Sequence, residues 1–273
     1  MAKNANIEVH HITRVEGHGD IVVEIKDGKI EQLRFAIVEA PRFFEAFLRG
    51  HGFAEVVHMA SRICGICAVS HKCAALQATE AALDVQISEQ TALLRRLAFH
   101  GEIISSHILH VYFLAAPDFL GIPSVFPLID SNRELVLRAM RLKKLGYDLS
   151  GMVGGRHTHP VAMKVGGFSF THAEADLRAM KDRLLKAVDD LKETVQFFKT
   201  IVLPEFEQET VYVSLTHPER YAFYDGDIYS STGEKAPVIH YRDSIEERVV
   251  SYSTAKHASW RGSRYMVGAL ARS

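Results

Sequence analysis

Residues 62–73 (RICGICAVSHKC) constrain this chain more than any other stretch, because they hold all three of its cysteines. Cys64 and Cys67 form a Cys-x-x-Cys pair, and His71 follows four residues after the second cysteine. If the segment is helical, a rotation of about 100° per residue puts these three side chains on one face and Cys73 on the opposite face. Two soft thiolates and an imidazole that face one small volume predict half of a metal site.

Such a cysteine pair has several interpretations. A structural zinc site needs four ligands, and no cysteine lies outside residues 64–73 to supply a second pair. A thioredoxin-like redox pair requires a βαβ context, which the surrounding sequence lacks. A third interpretation is a redox-metal site whose other thiolates come from elsewhere, and a fourth is an inert cluster. The spacing alone leaves all four open.

Composition and charge narrow the classes of partner. The chain has 273 residues, of which 47% are hydrophobic and 24% are charged, as in soluble globular proteins. The 32 basic and 33 acidic residues nearly cancel, so nothing favours nucleic acid or an anionic membrane as a partner. No apolar run reaches about 18 residues, so no membrane span is predicted. The N-terminus lacks an apolar signal core, and clustered cysteines are typical of metal or redox chemistry, so we expect a cytoplasmic protein.

The periodicity predicts a mainly α (α+β) fold. This fold is a helical bundle with small peripheral antiparallel β-sheets, built as a single domain over residues 1–273. We expect a β-rich region at 7–38, a helical core at 42–200 and a second β-rich region at 209–245. Within the core, helices are predicted near 66–83, 89–115, 132–149 and 172–200, with a compact loop at 116–130.

Local signals mark where several of these elements begin or turn. Asp27-Gly28 predicts a hairpin, Ser88 predicts a helix N-cap, and residues 171–174 read as a capping box. Two glycine-rich stretches, residues 14–19 and 154–167, predict backbone that passes close to another group. The first stretch contains Glu16, for which a surface ion pair with Arg14 is the simplest interpretation.

The motifs taken together resemble those of the large subunits of NiFe-hydrogenases. The resemblance rests on four segments in the same order: Arg14–Gly19, Pro41–Glu45, Arg62–His71 and Gly154–Gly167. Three further sequence segments are most similar to the cytosolic subgroup of the family, which includes sulfhydrogenase-like and nicotinamide-coupled enzymes. These segments are Ser88–Thr91, His107–Tyr112 and Ala116–Asp118. The similarity extends over at least residues 8–200.

The resemblance implies a NiFe centre whose iron carries CO and CN ligands. Cys64 would be a terminal nickel ligand, and Cys67 would bridge nickel and iron. Thiolates suit this role because they are soft, strongly donating ligands. His71 would form a hydrogen bond with the bridging sulfur, and Arg62 would neutralise charge at the centre.

Three residues outside the cysteine segment also match family positions. Glu16 would receive the proton when H2 is cleaved, and a carboxylate serves as such a relay when partial burial raises its pKa. Glu45 would bind a Mg or Fe ion, for which hard oxygen ligands are suited. His159 would lie near an iron–sulfur cluster of a small subunit. This chain has too few cysteines to bind such a cluster, so electrons would pass to an iron–sulfur small subunit. The resemblance further implies flavin/NAD(P)-reductase subunits as partners.

One family feature is missing. The second cysteine pair of these subunits lies in a C-terminal metal-binding segment, which this sequence does not contain. Three interpretations follow: a fragment or interrupted version of an active hydrogenase chain, a subunit whose missing half is supplied separately, or a non-catalytic scaffold that docks an iron–sulfur partner. We expect the first, and therefore no stable NiFe centre in the 273-residue chain alone.

Overall fold

The structure is a computed structural model that describes residues 4–273. The N-terminus, which we expect to lack a signal peptide, therefore lies partly outside the described residues, because residues 1–3 are not among them. Contacts divide the chain into two compact units. One unit, here called the helical unit, is Gly50–Phe206. The other, here called the sheet unit, consists of two segments, the chain before Gly50 and Glu207–Ser273. The predicted mainly helical α+β class with small antiparallel sheets is confirmed. The single domain over 1–273 stays a prediction.

The elements follow in chain order. The first are β1 (Ala5–Val9), β2 (Gly19–Lys26), β3 (Lys29–Ile37), α1 (Pro41–Phe47), α2 (Phe53–Ala60), α3 (Ala68–Ala82) and α4 (Glu89–Ile108). A π-helical segment (Leu109–Ala115) leads into α5 (Ala116–Leu120), α6 (Leu128–Ser131), α7 (Arg133–Gly154), β4 (Met163–Lys164), β5 (Gly167–Phe168) and α8 (Glu174–Phe198). The last are β6 (Val211–Thr216), β7 (Asp227–Ser230), β8 (Lys235–Ala236), β9 (Ile245–Arg248), β10 (His257–Trp260) and β11 (Tyr265–Met266).

The sheet unit contains three small sheets. β1, β2 and β3 form an antiparallel meander, and the predicted hairpin is confirmed, because Asp27 and Gly28 adopt φ of 51° and 76° between β2 and β3. A four-stranded sheet has the order β11-β6-β7-β8, and β9 pairs with β10. Trp260 is buried against Val213 and Ile228, and these residues form the core of this part of the unit.

Several element boundaries differ from the sequence prediction. The capping box at 171–174 is wrong, because Ala173 is the N-cap of α8 and provides no side-chain cap. The loop expected at 116–130 contains α5 and α6. Residues 238–241, which lie within the region expected to be β-rich, form part of a 3-10 helix in which the His240 amide donates to the carbonyl of Pro237. The N-cap at Ser88 is confirmed, since its hydroxyl accepts a hydrogen bond from the Thr91 amide at 3.2 Å.

The helical unit is organised around the crossing of α4 and α7. At this crossing a Cβ on Gly101 would lie 2.8 Å from the Gly146 carbonyl oxygen, and a Cβ on Gly146 would lie 2.6 Å from the Gly101 carbonyl oxygen. Ser150 Oγ adds a hydrogen bond to the carbonyl of Ala98 at 2.9 Å. The two glycines therefore let the helix backbones touch directly, which fixes α4 as a rigid support within this unit.

This contact leads to a prediction for Gly146→Ala. The added methyl group would collide with α4 backbone, so we expect a loss of about 1–3 kcal/mol in the free energy of unfolding. Gly151→Ala on the same helix is the matched control, because its Cβ would meet nothing closer than 3.5 Å and alanine favours the helix. Urea denaturation of both variants measures the difference. Equal stability of the two would contradict the close helix contact.

The helix that includes α4 bears on the predicted absence of a membrane span. Glu89–Leu120 is a continuous helical run of 32 residues that is long and apolar enough, by length and composition, to cross a membrane. A core helix of a soluble protein has the same properties. This one buries two charged side chains, Arg95 and Glu102. The absence of a span stays a prediction.

Candidate metal-binding site

The cysteine pair lies in a turn that immediately precedes α3. The predicted start of this helix at residue 66 is wrong, since α3 begins at Ala68 and Cys67 is its N-cap with φ of −115° and ψ of 32°. The helical rotation therefore does not relate Cys64 to Cys67. Cys64 is buried and Cys67 is half-buried, and neither forms a disulfide within the described residues. Gly65 between them packs against Thr158, whose Cγ2 would lie 3.6 Å from a Cβ at this position.

His71 lies in the first turn of α3, as the sequence predicted. Its amide donates to the carbonyl of Cys67 at 3.2 Å, which is the first hydrogen bond of the helix. The imidazole is half-buried, and burial lowers its pKa, so the ring is neutral at pH 7. A neutral ring has one N–H donor and one acceptor nitrogen, which suits a hydrogen bond to a sulfur ligand.

A second glycine-rich turn places His159 beside the cysteine segment. Gly154 packs against Pro160, where a Cβ would approach the proline ring to 2.8 Å, and Gly155 has φ of 81°. This close packing turns the chain back, and His159 itself adopts φ of 53°. Its Nδ1 lies 2.7 Å from the carbonyl oxygen of Ser61, three residues before the first cysteine. The structure thus brings His159 to the cysteine turn.

Basic side chains surround this part of the helical unit. Arg62 is exposed and donates from Nη1 to the carbonyl of His58 at 3.2 Å. Lys72 is buried on α3, and its burial, together with the charges of Lys164 and Arg62, lowers the pKa of its ammonium group to about 8. These charges give the cysteine turn a positive environment that favours thiolates.

The buried lysine predicts a pH-dependent stability. Because the pKa of Lys72 falls from 10.5 to about 8 on folding, the unfolded chain binds more protons between these pH values, and stability rises with pH across that range. We expect Lys72→Met to raise the free energy of unfolding at pH 7 by about 2 kcal/mol and to remove much of that rise. Urea titrations at pH 7 and pH 10 test this. A destabilised Met variant would show that the ammonium group is well paired.

Cys73 is a core residue, as expected from its place on the opposite face of α3. Its side chain is 3% exposed, and burial raises the pKa of its thiol to about 12. A thiol in this state is neither a nucleophile nor a metal ligand near neutral pH. Cys64 and Cys67 therefore remain the two thiols of this segment that are predicted to bind metal.

Glu16 lies in the sheet unit, on the loop between β1 and β2. The loop is fixed by His18, whose Nδ1 lies 2.6 Å from Glu39 Oε1, and by Asp20, which accepts the His11 amide at 2.9 Å. Gly17 has φ of 89°, which lets the chain reverse next to the glutamate. The Glu16 side chain is exposed. Its role as a proton relay stays a prediction.

Glu45 is an exposed residue of α1, also in the sheet unit. Its carboxylate lies 3.9 Å from the ammonium group of Lys256, which is 2.8 Å from Glu247. The residue lines an open cleft of about 460 Å³ together with Arg42 and Thr254. Its role as a ligand of Mg or Fe stays a prediction.

The donor set fits half of a NiFe centre. Cys64 and Cys67 supply soft sulfur donors on one turn, with a neutral imidazole one helical turn away. Among residues 4–273, however, no group of three or more His, Cys, Asp or Glu side chains is arranged to hold a metal ion. Soft sulfur donors are of a type that suits nickel, and their number within the described chain is too small to hold a metal ion alone.

Two buried features of the helical unit were not predicted from sequence. Glu102 accepts hydrogen bonds from the first turn of α3, and Arg95 forms an ion pair with Glu80 at 2.6 Å. The available signal was a charged residue on the apolar, core-facing side of a predicted helix. Sequence periodicity reveals that such a residue is buried, but it does not reveal which distant group it meets.

Comparison with known proteins identifies the family. The family model described as "Nickel-dependent hydrogenase" matches residues 42–135, and one described as "HoxL-like" matches residues 6–40. The alpha subunit of sulfhydrogenase 1 from Pyrococcus furiosus is 34% identical over 97% of this chain and 63% of its own length. An F420-non-reducing hydrogenase chain (vhu) from Methanocaldococcus jannaschii is 33% identical over 96% of this chain and 67% of its own length.

Solved structures agree. An NAD+-reducing [NiFe]-hydrogenase in the H2-reduced state has a TM-score of 0.87 and 26% identity, covering 99% of this chain and 66% of that one. The chain therefore spans less than two thirds of this structure and of the two Pyrococcus furiosus sulfhydrogenase alpha subunits, of which it covers 63% and 62%. With this agreement in sequence and fold, the chain belongs to the nickel-dependent hydrogenase large-subunit family.

Proposed function

We propose that this chain is the part of a hydrogenase large subunit that supplies the first two cysteines of a NiFe centre, in an enzyme that reversibly converts H2 to protons and electrons. The observation that supports this most strongly is the turn at Cys64–Cys67. It presents two thiols, precedes a helix that carries His71, and packs against the turn that carries His159. The similarity to sulfhydrogenase alpha subunits covers nearly the whole chain.

Within this proposal the side chains of the helical unit hold and surround the centre. Cys64 and Cys67 would hold the NiFe centre through their two thiolates, Cys64 as a ligand of nickel and Cys67 as a ligand shared by its metals. The bound centre would supply the redox chemistry on hydrogen. His71 would form a hydrogen bond to the sulfur of Cys67, and Arg62 would offset the negative charge of the thiolates.

The proton and the electrons would leave by different residues. A carboxylate oxygen of Glu16 would accept the proton, and Glu45 would bind a Mg or Fe ion. Electrons would pass to an iron–sulfur small subunit, with His159 near its cluster, since this chain has too few cysteines to bind one. We further propose a cytoplasmic enzyme whose reductase subunits carry flavin and use NAD(P) or another soluble acceptor.

The test compares the isolated chain with the complex purified from its native source. In the complex we expect infrared bands from iron-bound CO and CN and H2-dependent reduction of a dye. In the isolated 273-residue chain we expect neither, because it contains two of the four thiolates that the family uses. A complex that contains a second cysteine pair but shows no infrared bands would contradict the proposed function. Infrared bands of iron-bound CO and CN from the isolated chain would contradict the expectation that this chain alone cannot hold the centre.

A scaffold without a metal centre is the second candidate. The observation in its favour is the lack of a three-residue ligand group in the described part of the chain. A scaffold would retain its iron–sulfur partner through residues outside the cysteine turn. Co-purification of the partner with a nickel-free wild-type chain would favour it over the catalytic role.

A further inference from the structure

The first turn of α3 poses a capping problem. A helix leaves its first amide groups without partners inside the helix, and the N-cap side chain normally accepts from the amides two and three residues later. Here the N-cap is Cys67, whose side chain makes no capping hydrogen bond. The first turn of α3 also contains no acidic residue. A cysteine at this position is a poor cap, because sulfur is a weak acceptor.

A carboxylate from α4 accepts these hydrogen bonds instead. The Val69 amide donates to Glu102 Oε2 at 2.6 Å, and the Ser70 amide donates to Oε1 at 3.0 Å. The Ser70 hydroxyl donates to the same Oε1 in a short hydrogen bond. Val69 and Ser70 are the second and third residues of the helix, so Glu102 occupies the acceptor position of an N-cap side chain.

The carboxylate is held in place by its own helix. Glu102 is 7% exposed and follows Gly101, at which α4 and α7 make backbone contact. A buried acid held by a rigid helix is well suited to fix a neighbouring turn. Burial raises the pKa of Glu102, and the hydrogen bonds from Ser70 and Val69 oppose that shift.

We propose that Glu102 is a positioning residue, which caps α3 in place of the Cys67 side chain and so fixes the turn from which Cys67 would bind metal. The cap holds the backbone where the cysteine turn joins the helix that carries His71. The capping role stands on the hydrogen bonds alone, and its consequence for metal binding rests on the proposed function.

Glu102→Gln in the full chain tests the cap without any metal. The amide side chain keeps the size of glutamate but cannot accept all three hydrogen bonds as well as a carboxylate. We expect the Val69 and Ser70 amides to exchange with solvent about tenfold faster, as for the loss of an N-cap. Glu207→Gln, an exposed residue with the same change of charge, is the matched control and should leave both rates unchanged. Unchanged rates in Glu102→Gln would overturn the proposal.

The alkylation of individual cysteines separates positioning from general stability. In Glu102→Gln we expect iodoacetamide to modify Cys67 several-fold faster while Cys73 stays unreactive. If the carboxylate merely stabilised the fold, the reactivity of both would rise together, which would contradict the positioning role.

A variant that restores the cap of α3 provides an independent test. Cys67→Asp places a strong N-cap at the start of α3, so in the Glu102→Gln background it should restore slow exchange of the two amides. In the presence of Glu102 the same substitution should slow exchange little. Equal effects in both backgrounds would contradict the idea that the cap has been transferred to Glu102.

If Glu102→Gln does not fold, amide hydrogen exchange in the wild-type chain still tests the cap. The second and third residues of α8 follow Ala173, an N-cap without side-chain capping, and serve as an internal reference. We expect the Val69 and Ser70 amides to exchange more slowly than those of Ala175 and Asp176; equal rates would overturn the cap. If the exchange rates show that Glu102 caps α3 but the complex contains no nickel, the positioning role of Glu102 holds and only the proposed function is contradicted.

Discussion

Replacement of Cys67 by Ser is expected to leave the assembled complex without nickel and without H2-dependent activity. Serine is nearly the same size, so the turn before α3 should keep its shape, but a hydroxyl is a hard and weakly acidic donor that does not replace a bridging thiolate. Metal analysis of the purified complex by mass spectrometry measures the effect. We expect nickel to fall from near stoichiometric amounts to background.

Cys73→Ala is the matched control for this experiment. It also removes a thiol from α3, but from the buried face, where the pKa of about 12 keeps the thiol protonated. We expect nickel to stay at the wild-type amount, with a small loss of stability from the missing sulfur atom. Full nickel content in Cys67→Ser, or equal loss in both variants, would contradict the assignment of Cys67 as a ligand.

Glu80→Gln is expected to produce the largest loss of stability in the helical unit. The guanidinium of Arg95, which is fully buried, forms paired hydrogen bonds with the Glu80 carboxylate at 2.8 and 2.6 Å and also donates to the carbonyl of Lys164. Glu80 in turn accepts the Gly166 amide at 2.8 Å. Loss of the carboxylate charge leaves a buried cation uncompensated, which costs about 3–5 kcal/mol. Urea denaturation measures this change.

An exposed ion pair provides the comparison. Asp189 and Lys192 lie 2.8 Å apart on α8, and both side chains are largely exposed. Asp189→Asn should leave the urea midpoint unchanged, because solvent screens such pairs. If Glu80→Gln also left the urea midpoint unchanged, the hydrogen-bond network that joins α3, α4 and the β4–β5 hairpin would not stabilise the helical unit.

The elements of the fold were largely predictable because their signals are local. The Asp27-Gly28 turn, the Ser88 N-cap and the long amphipathic helices depend on residues within a few positions of one another. The errors lie mostly at helix ends. α8 begins without the expected capping box, and α3 begins at Ala68, where Glu102 of another helix accepts the hydrogen bonds of its first turn.

The candidate site was predictable in its residue types and less so in its geometry. Sequence spacing indicated that Cys64, Cys67 and His71 belong together, and the family motifs added His159, which the structure places against Ser61. A helical reading placed the two cysteines on one face, whereas they lie in a turn. No local pattern could reveal that Glu102 supports this turn, since the two segments meet only in the folded unit.

Nickel K-edge X-ray absorption of the wild-type complex tests the central claim most directly. The proposed function predicts one nickel per chain with sulfur atoms in its coordination shell, some of them from the turn at Cys64–Cys67. A complex that lacks nickel, or one whose nickel is bound only by nitrogen and oxygen, would contradict the account.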